Sequence, residues 1–259
     1  MNGFLDQVVR DKVAQTERSR ARTPLNELLL RAASRLPRNF QAAVAGGGRI
    51  IAEIKRRSPS VTAFRQQGDV TGLAGIYAAS GAAAISIVID EPNFGTSVAD
   101  LTRVRESVSL PVLAKEFILD EYQVAEARAA GADAVLLIVR ILDDARLQGL
   151  LAAIGDLGMS ALVECHEADE VGRAVAAGAR LIGINNRNLD SMSVSVDTCR
   201  GLVGLVPEGT VCVAESGIAR REVIEELTRV GVDAFLIGGA LLDAEDPAAK
   251  LKELRGDEH

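Results

Sequence analysis

Five ionisable side chains stand where apolar runs end: Glu53, Lys55, Lys115, Glu164 and Glu215. The first two lie in Ile50-Ile51-Ala52-Glu53-Ile54-Lys55. Residues two apart on a strand share a face, so Glu53 and Lys55 point together and Ile54 points the other way. A strand buried on both faces should read as continuous Val, Ile and Leu. A carboxylate and an ammonium inside it are costly unless they serve something. Lys115 closes Pro111-Val112-Leu113-Ala114, Glu164 closes Ser160-Ala161-Leu162-Val163, and Glu215 closes Val211-Cys212-Val213-Ala214. Three carboxylates and two ammonium groups converging on one place suit acid–base chemistry, because their mutual fields and partial burial move pKa values toward working pH. A structural salt-bridge network is the competing account of the same residues.

Other residues extend the pattern. Ser58 follows the first strand, and Asn185-Asn186-Arg187 follow the sixth. Ser216-Gly217 and Gly238-Gly239 follow the seventh and eighth. Glycine lets backbone N–H groups approach an anion, and a following helix N-terminus favours negative charge, so these pairs suit a phosphate. Phe94 and Phe117 are scarce aromatics just after the second and third strands, suited to walling an aromatic ring. Glu116, His166, Asn188 and Asp190 read as ordinary polar loop residues, and Arg56-Arg57 as a solvated pair that helps attract an anion.

These residues need a frame that brings them together. One phrase recurs: Gly81-Ala82-Ala83-Ala84-Ile85, Gly131-Ala132-Asp133-Ala134-Val135, Gly178-Ala179-Arg180-Leu181-Ile182 and Gly231-Val232-Asp233-Ala234-Phe235. The starts lie roughly 50 residues apart, room for two βα units each. Other strands fall between them, giving eight with the run at Ile50. Amphipathic helical patterns cover 71–80, 121–130, 145–157, 168–177, 197–206 and 221–230. Strict βα alternation gives a parallel sheet with right-handed crossovers, and eight units favour closure into a single (β/α)8 barrel spanning 49–259. Chemistry in such a barrel sits at the C-terminal ends of the strands, where the charged residues fall. Residues 1–48 carry no strand signal. They read as two or three helices, around 3–18 and 23–36, capping one end of the barrel within the same domain.

Composition narrows the partners. The chain has 259 residues and a formal charge of -7, which argues against nucleic acid as a bulk partner. Its 3 cysteines, Cys165, Cys199 and Cys212, form no CxxC pair, which disfavours a disulfide scaffold or a zinc site and fits a reducing compartment. The N-terminus lacks an apolar leader, and no apolar run is long enough to span a bilayer. The expectation is a cytoplasmic protein that acts on a small molecule, with no membrane or nucleic-acid partner, as a monomer.

Taken together, these phrases resemble the indole-3-glycerol phosphate synthase family of tryptophan biosynthesis. The most specific are Ala52-Glu53-Ile54-Lys55 with Ser58-Pro59-Ser60, Gly183-Ile184-Asn185-Asn186-Arg187-Asn188-Leu189, and Glu215-Ser216-Gly217-Ile218. The resemblance covers nearly the whole chain. It implies a carboxy-lyase on a (β/α)8 barrel that closes the ring of 1-(2-carboxyphenylamino)-1-deoxyribulose 5-phosphate, with loss of carbon dioxide and water, and that needs no metal or organic cofactor. It implies Lys115 as the acid for ring closure, and Lys55 as the group that holds the substrate and assists dehydration, paired with Glu53 as acid or base. Glu164 would stabilise the cationic intermediate or take a proton, with Asn185 and Glu215 orienting these groups and the substrate hydroxyls. Arg187 would meet the anthranilate carboxylate, and Phe94 and Phe117 its ring. Ser58, Ser216, Gly217, Gly238 and Gly239 would bind phosphate or line its pocket. The chain departs from the family where Val61-Thr62 replace Lys-Gly, and where Ala114-Lys115-Glu116-Phe117 stands for Arg-Lys-Asp-Phe. Those changes leave a paralogue for a modified anthranilate, or another phosphosugar barrel, as alternatives.

Overall fold

A computed structural model describes residues 3–59, 61, 63–66 and 68–257. Ser60 and Thr62 of the first loop, and His259, lie outside the described residues. Eight parallel strands close into a barrel in sequence order: β1 (Arg49–Ile54), β2 (Ala84–Val88), β3 (Val112–Lys115), β4 (Ala134–Ile138), β5 (Ser160–Cys165), β6 (Leu181–Asn185), β7 (Val211–Glu215) and β8 (Ala234–Ile237). Among the described residues no helix is long and apolar enough to cross a membrane.

The two-residue period of each strand splits its side chains into two cores. Ile51, Leu113, Leu136, Leu162, Leu181, Val213 and Leu236 fill the barrel interior. Ile50, Ile54, Ile85, Ile87, Val135, Val163, Ile182 and Phe235 face outward into the layer of helices. Glu53, Lys115, Glu164 and Glu215 fall on the interior parity, one step above the interior apolar residues, which is why the charged residues meet. The recurring Gly-x-Asp phrase has a structural task. Asp133 accepts from the Val112 N–H at 2.9 Å, and Asp233 accepts from the Cys212 N–H at 2.9 Å, each tying its strand start to the strand before it.

The N-terminal segment forms α1 (Phe4–Arg22), α2 (Leu25–Ala33) and α3 (Phe40–Val44). These helices do more than cap one end. Phe40 and Val44 of α3 join the interior core and plug the N-terminal end of the barrel. α2 sets Leu28 against Tyr122 and Ala125 of α7 (Glu121–Ala129), and α1 reaches the opposite, catalytic end. The helices expected over 71–80, 121–130, 145–157, 168–177 and 221–230 form within one residue of those bounds, and the one expected over 197–206 ends in a 3-10 turn, Val203–Leu205. In chain order α4 is Val70–Ala79, α5 Glu91–Phe94, α6 Val98–Ser107, α8 Asp144–Asp156, α9 Ala168–Ala176, α10 Asp197–Leu202, α11 Arg221–Arg229, α12 Gly239–Leu242 and α13 Pro247–Arg255. Of these, α5, α6, α12 and α13 have no counterpart in the helical pattern of the sequence.

Candidate active site

Lys115 is the centre of the barrel mouth. Its Nζ lies 2.6 Å from Glu215 Oε2, 3.6 Å from Glu164 Oε2 and 3.7 Å from Glu53 Oε2. Glu53 bridges to the second ammonium, since its Oε1 accepts from Lys55 Nζ. All three carboxylates are buried, with Glu215 fully so. Burial alone would lower the pKa of Lys115, but Glu215, Glu164 and Glu53 outweigh it and hold the ammonium well above the usual lysine range. Burial raises Glu53, yet Lys55 and Lys115 pull it below the usual carboxylate range. Glu164 is likewise drawn down against its burial by Lys115 and His166. Burial pushes Glu215 up to about 8, with the nearby Glu164 charge adding and Lys115 opposing. Two ammonium groups thus face three carboxylates, one of which keeps a proton at neutral pH, and the cluster is close to electrically neutral.

Two interior glycines make this packing possible. A Cβ on Gly183 of β6 would collide with Glu215 Oε1 and sit 3.2 Å from Leu162 Cδ1. A Cβ on Gly238 would collide with Glu53 Oε1. The strands supply room for buried carboxylates by omitting side chains beside them.

Above the cluster opens a cavity of about 500 Å³. Glu53, Lys55, Lys115, Glu164, Asn185 and Arg187 line it, with Ser58, Phe94, Phe117, Ser216, Gly217, Gly238 and Gly239. Every residue singled out for the site in the sequence lines it except Glu215, which adjoins the lining residues Lys115 and Glu164. Glu215 accepts from Lys115 Nζ at 2.6 Å. The loops after β2 and β3 and the end of β4 bring Phe94, Phe117 and Ile138 to one side of the cavity, and Leu5 of α1 and Leu189 add to its apolar lining. The ends of β7 and β8 bring the glycine pairs to the other side. Ser216 and Gly217 take φ of 63° and 75°, turning the chain sharply after β7, and a Cβ on Gly217 would sit 2.7 Å from Val194 Cγ1. Asn186 fixes this corner, donating to Ser216 O at 3.0 Å and accepting from the Cys199 N–H at 3.0 Å. Asn185 accepts from the Arg187 N–H at 3.0 Å, and Arg187 donates to Met192 O at 3.1 Å, which shapes the loop after β6.

Some expectations change. Arg57 is exposed and Arg56 half-buried, and both do more than face solvent. Arg56 grips Asp100 at 2.9 and 3.2 Å and Gly95 O at 2.7 Å, while Arg57 donates to Glu91 O and Pro92 O, so both bind the first loop to the second. His166 is buried, with Nε2 3.4 Å from Glu164 Oε1 and Nδ1 3.3 Å from Glu170 Oε2. Burial opposes its charge, but Glu170 and Glu164 raise its pKa above the usual histidine value. Phe64 places its ring 5.7 Å from Lys55 Nζ. Its sequence context offered no signal.

Glu116 is also buried and meets Lys12 at 2.8 Å. Burial pushes it up to about 7, with Lys12 opposing. A carboxyl raised in the folded state contributes stability that is fully present below its unfolded pKa, near 4.5, and is lost as pH rises through about 7. At about 1.4 kcal/mol per pH unit, the loss is on the order of 3 kcal/mol. Glu116→Gln, uncharged throughout, should therefore gain several degrees of Tm on wild type between pH 5 and pH 9. Thermal melts across that range check this, and parallel pH profiles for the two proteins would rule it out.

A family model described as indole-3-glycerol phosphate synthase matches residues 5–254. An indole-3-glycerol phosphate synthase of Roseiflexus castenholzii is 43% identical over 267 residues, covering 99% of each chain. One from a Nocardioides species is 48% identical over 214 residues, covering 83% of this chain and 82% of its own. Among solved structures, a 3-hexulose-6-phosphate synthase superposes with a TM-score of 0.61 at 22% identity, covering 80% of this chain and 98% of that one, a likeness of fold alone.

Proposed function

The chain belongs to the indole-3-glycerol phosphate synthase family, and from that premise we propose how its barrel mouth performs the reaction. The enzyme is a carboxy-lyase of tryptophan biosynthesis. It converts 1-(2-carboxyphenylamino)-1-deoxyribulose 5-phosphate to indole-3-glycerol phosphate, carbon dioxide and water.

The observation that carries the residue assignment is one ammonium held by three carboxylates at the floor of a cavity that is apolar on one side and glycine-lined on the other. The anthranilate ring packs between Phe94 and Phe117. The phosphate lies on the backbone of Ser216, Gly217, Gly238 and Gly239, with Ser58 at the rim. Arg187 meets the anthranilate carboxylate. This leaves the ribulose carbonyl over Lys115.

The ring carbon bearing the carboxylate attacks that carbonyl, and Lys115 gives its proton to the oxygen. The ring and its nitrogen become cationic, and Glu164, ionised in a buried position, stabilises them. Loss of carbon dioxide returns the electron pair and restores the aromatic ring. Lys55 then protonates the departing hydroxyl, and Glu53, hydrogen-bonded to it, accepts the proton released as the indole forms. Glu215 fixes the Lys115 ammonium through its hydrogen bond.

Purified protein given the carboxyphenylamino substrate should develop indole fluorescence with catalytic turnover. Tight substrate binding without product would overturn the reading.

A further inference from the structure

Lys12, Asp90 and Glu116 form a second buried charge cluster, which the roles above leave unused. Lys12 lies on α1 and is 3% exposed. Its Nζ donates to Glu116 Oε2 at 2.8 Å and to Gln15 Oε1 at 3.1 Å, and stands 3.1 Å from Asp90 Oδ1 as a charge contact off the hydrogen-bond direction. Glu126 of α7 also faces the ammonium. Glu116 and Asp90 each organise a loop of the cavity. The other oxygen of Glu116 accepts from the Phe117 N–H at 2.7 Å. Asp90 accepts the Phe94 N–H on its backbone oxygen at 2.8 Å and the Asn93 amide on Oδ2 at 2.7 Å. Phe94 and Phe117 line the cavity as aromatic walls, together with Phe64. Leu5 lies two helical turns before Lys12 on the same face of α1, and lines the cavity beside them. Lys115, next in sequence to Glu116, turns the other way, toward Glu215, Glu164 and Glu53.

We propose that Lys12 is a positioning residue for the apolar side of the cavity: it locks α1 onto the loops after β2 and β3, and so holds Leu5, Phe94 and Phe117 as three walls of one pocket for the substrate's aromatic ring. The proposal rests on the function assigned above. Without the ammonium, two acids would face each other in a dry site, and the loops must then separate or take up a proton. The pocket loosens where it binds the ring, away from the reacting carbonyl. Contacts made equally to ground and transition states act on KM and leave kcat nearly unchanged.

The test is steady-state kinetics and thermal melts of wild type, Lys12→Met, Lys12→Arg, Leu5→Ala and the double variant Lys12→Met/Leu5→Ala. Lys12→Met and Leu5→Ala should each raise KM by about tenfold with kcat within about threefold, a loss of about 1.4 kcal/mol of binding. The double variant should be no worse than the poorer single, because both changes undo the same wall. Lys12→Arg, which keeps the charge, should recover much of the KM. An unchanged KM with a lowered Tm, a loss confined to kcat, or KM effects that multiply in the double variant would each overturn the proposal. Should Lys12→Met fail to fold, Leu5→Ala and Lys12→Arg decide it: wild-type KM for Leu5→Ala, or Lys12→Arg with KM raised as far as by Leu5→Ala, would overturn it. Absent turnover in wild type would instead overturn the functional assignment.

Discussion

Lys115→Met should lower kcat by at least about a thousandfold while leaving the fold intact. A positioned general acid contributes 10²–10⁴-fold, and Lys115 is the ammonium closest to three carboxylates at the cavity floor. The change also removes the main cation that holds Glu164 ionised, while Glu53 keeps Lys55, so the cationic intermediate loses part of its stabilisation as well. Methionine has nearly the same length and is apolar, so the interior stays filled. The stability cost is limited because buried carboxylates left without a cation take up protons. Circular dichroism and melting curves report the fold, and single-turnover assays report the rate. A variant that kept a tenth of the wild-type rate would remove Lys115 from the role of acid.

Gly183→Ala should have the second-largest effect, although it touches no substrate. The added Cβ would collide with Glu215 Oε1 and crowd Leu162. Glu215 is fully buried, so its carboxylate cannot swing out to water, and the 2.6 Å bond to Lys115 must break or lengthen. Overpacking a close-packed interior costs about 1–3 kcal/mol. The larger loss falls on activity, since a misplaced acid costs on the order of a hundredfold. We expect kcat to fall by about that factor with KM little changed. Gly183→Ala with wild-type kcat would mean that the Lys115–Glu215 contact is not needed for turnover.

Much of the site was legible because strand parity is a strict rule. Glu53, Lys115, Glu164 and Glu215 each close an apolar run, and each sits on the interior face of its strand. What parity could not say is which of them line the cavity: Glu215 does not, and its carboxylate fills the space beside Gly183. Lys12 and Glu116 were beyond reach for a different reason. Their contact spans 104 residues and two elements, and nothing local distinguishes Glu116 from an ordinary loop acid. α6 was missed although its signal was present. Ser97 and Asp100 form a reciprocal capping box, but the apolar stripe behind it is thin, because Arg105 is buried against Asp133 in place of a hydrocarbon. The tie from Arg56 to Asp100 was out of reach in the same way, since Asp100 becomes a neighbour only when β1 and β2 pair.

The central claim is a division of labour between two ammonium groups, with Lys115 closing the ring and Lys55, bonded to Glu53, expelling water. The most direct measurement is a single-turnover quench with carboxyl-labelled substrate, counting released carbon dioxide against indole formed. Lys55→Met should release carbon dioxide and accumulate the decarboxylated, still hydroxylated ring, whereas Lys115→Met should release almost none. Carbon dioxide released at the wild-type rate by Lys115→Met, with the reaction stalled before loss of water, would contradict the assignment.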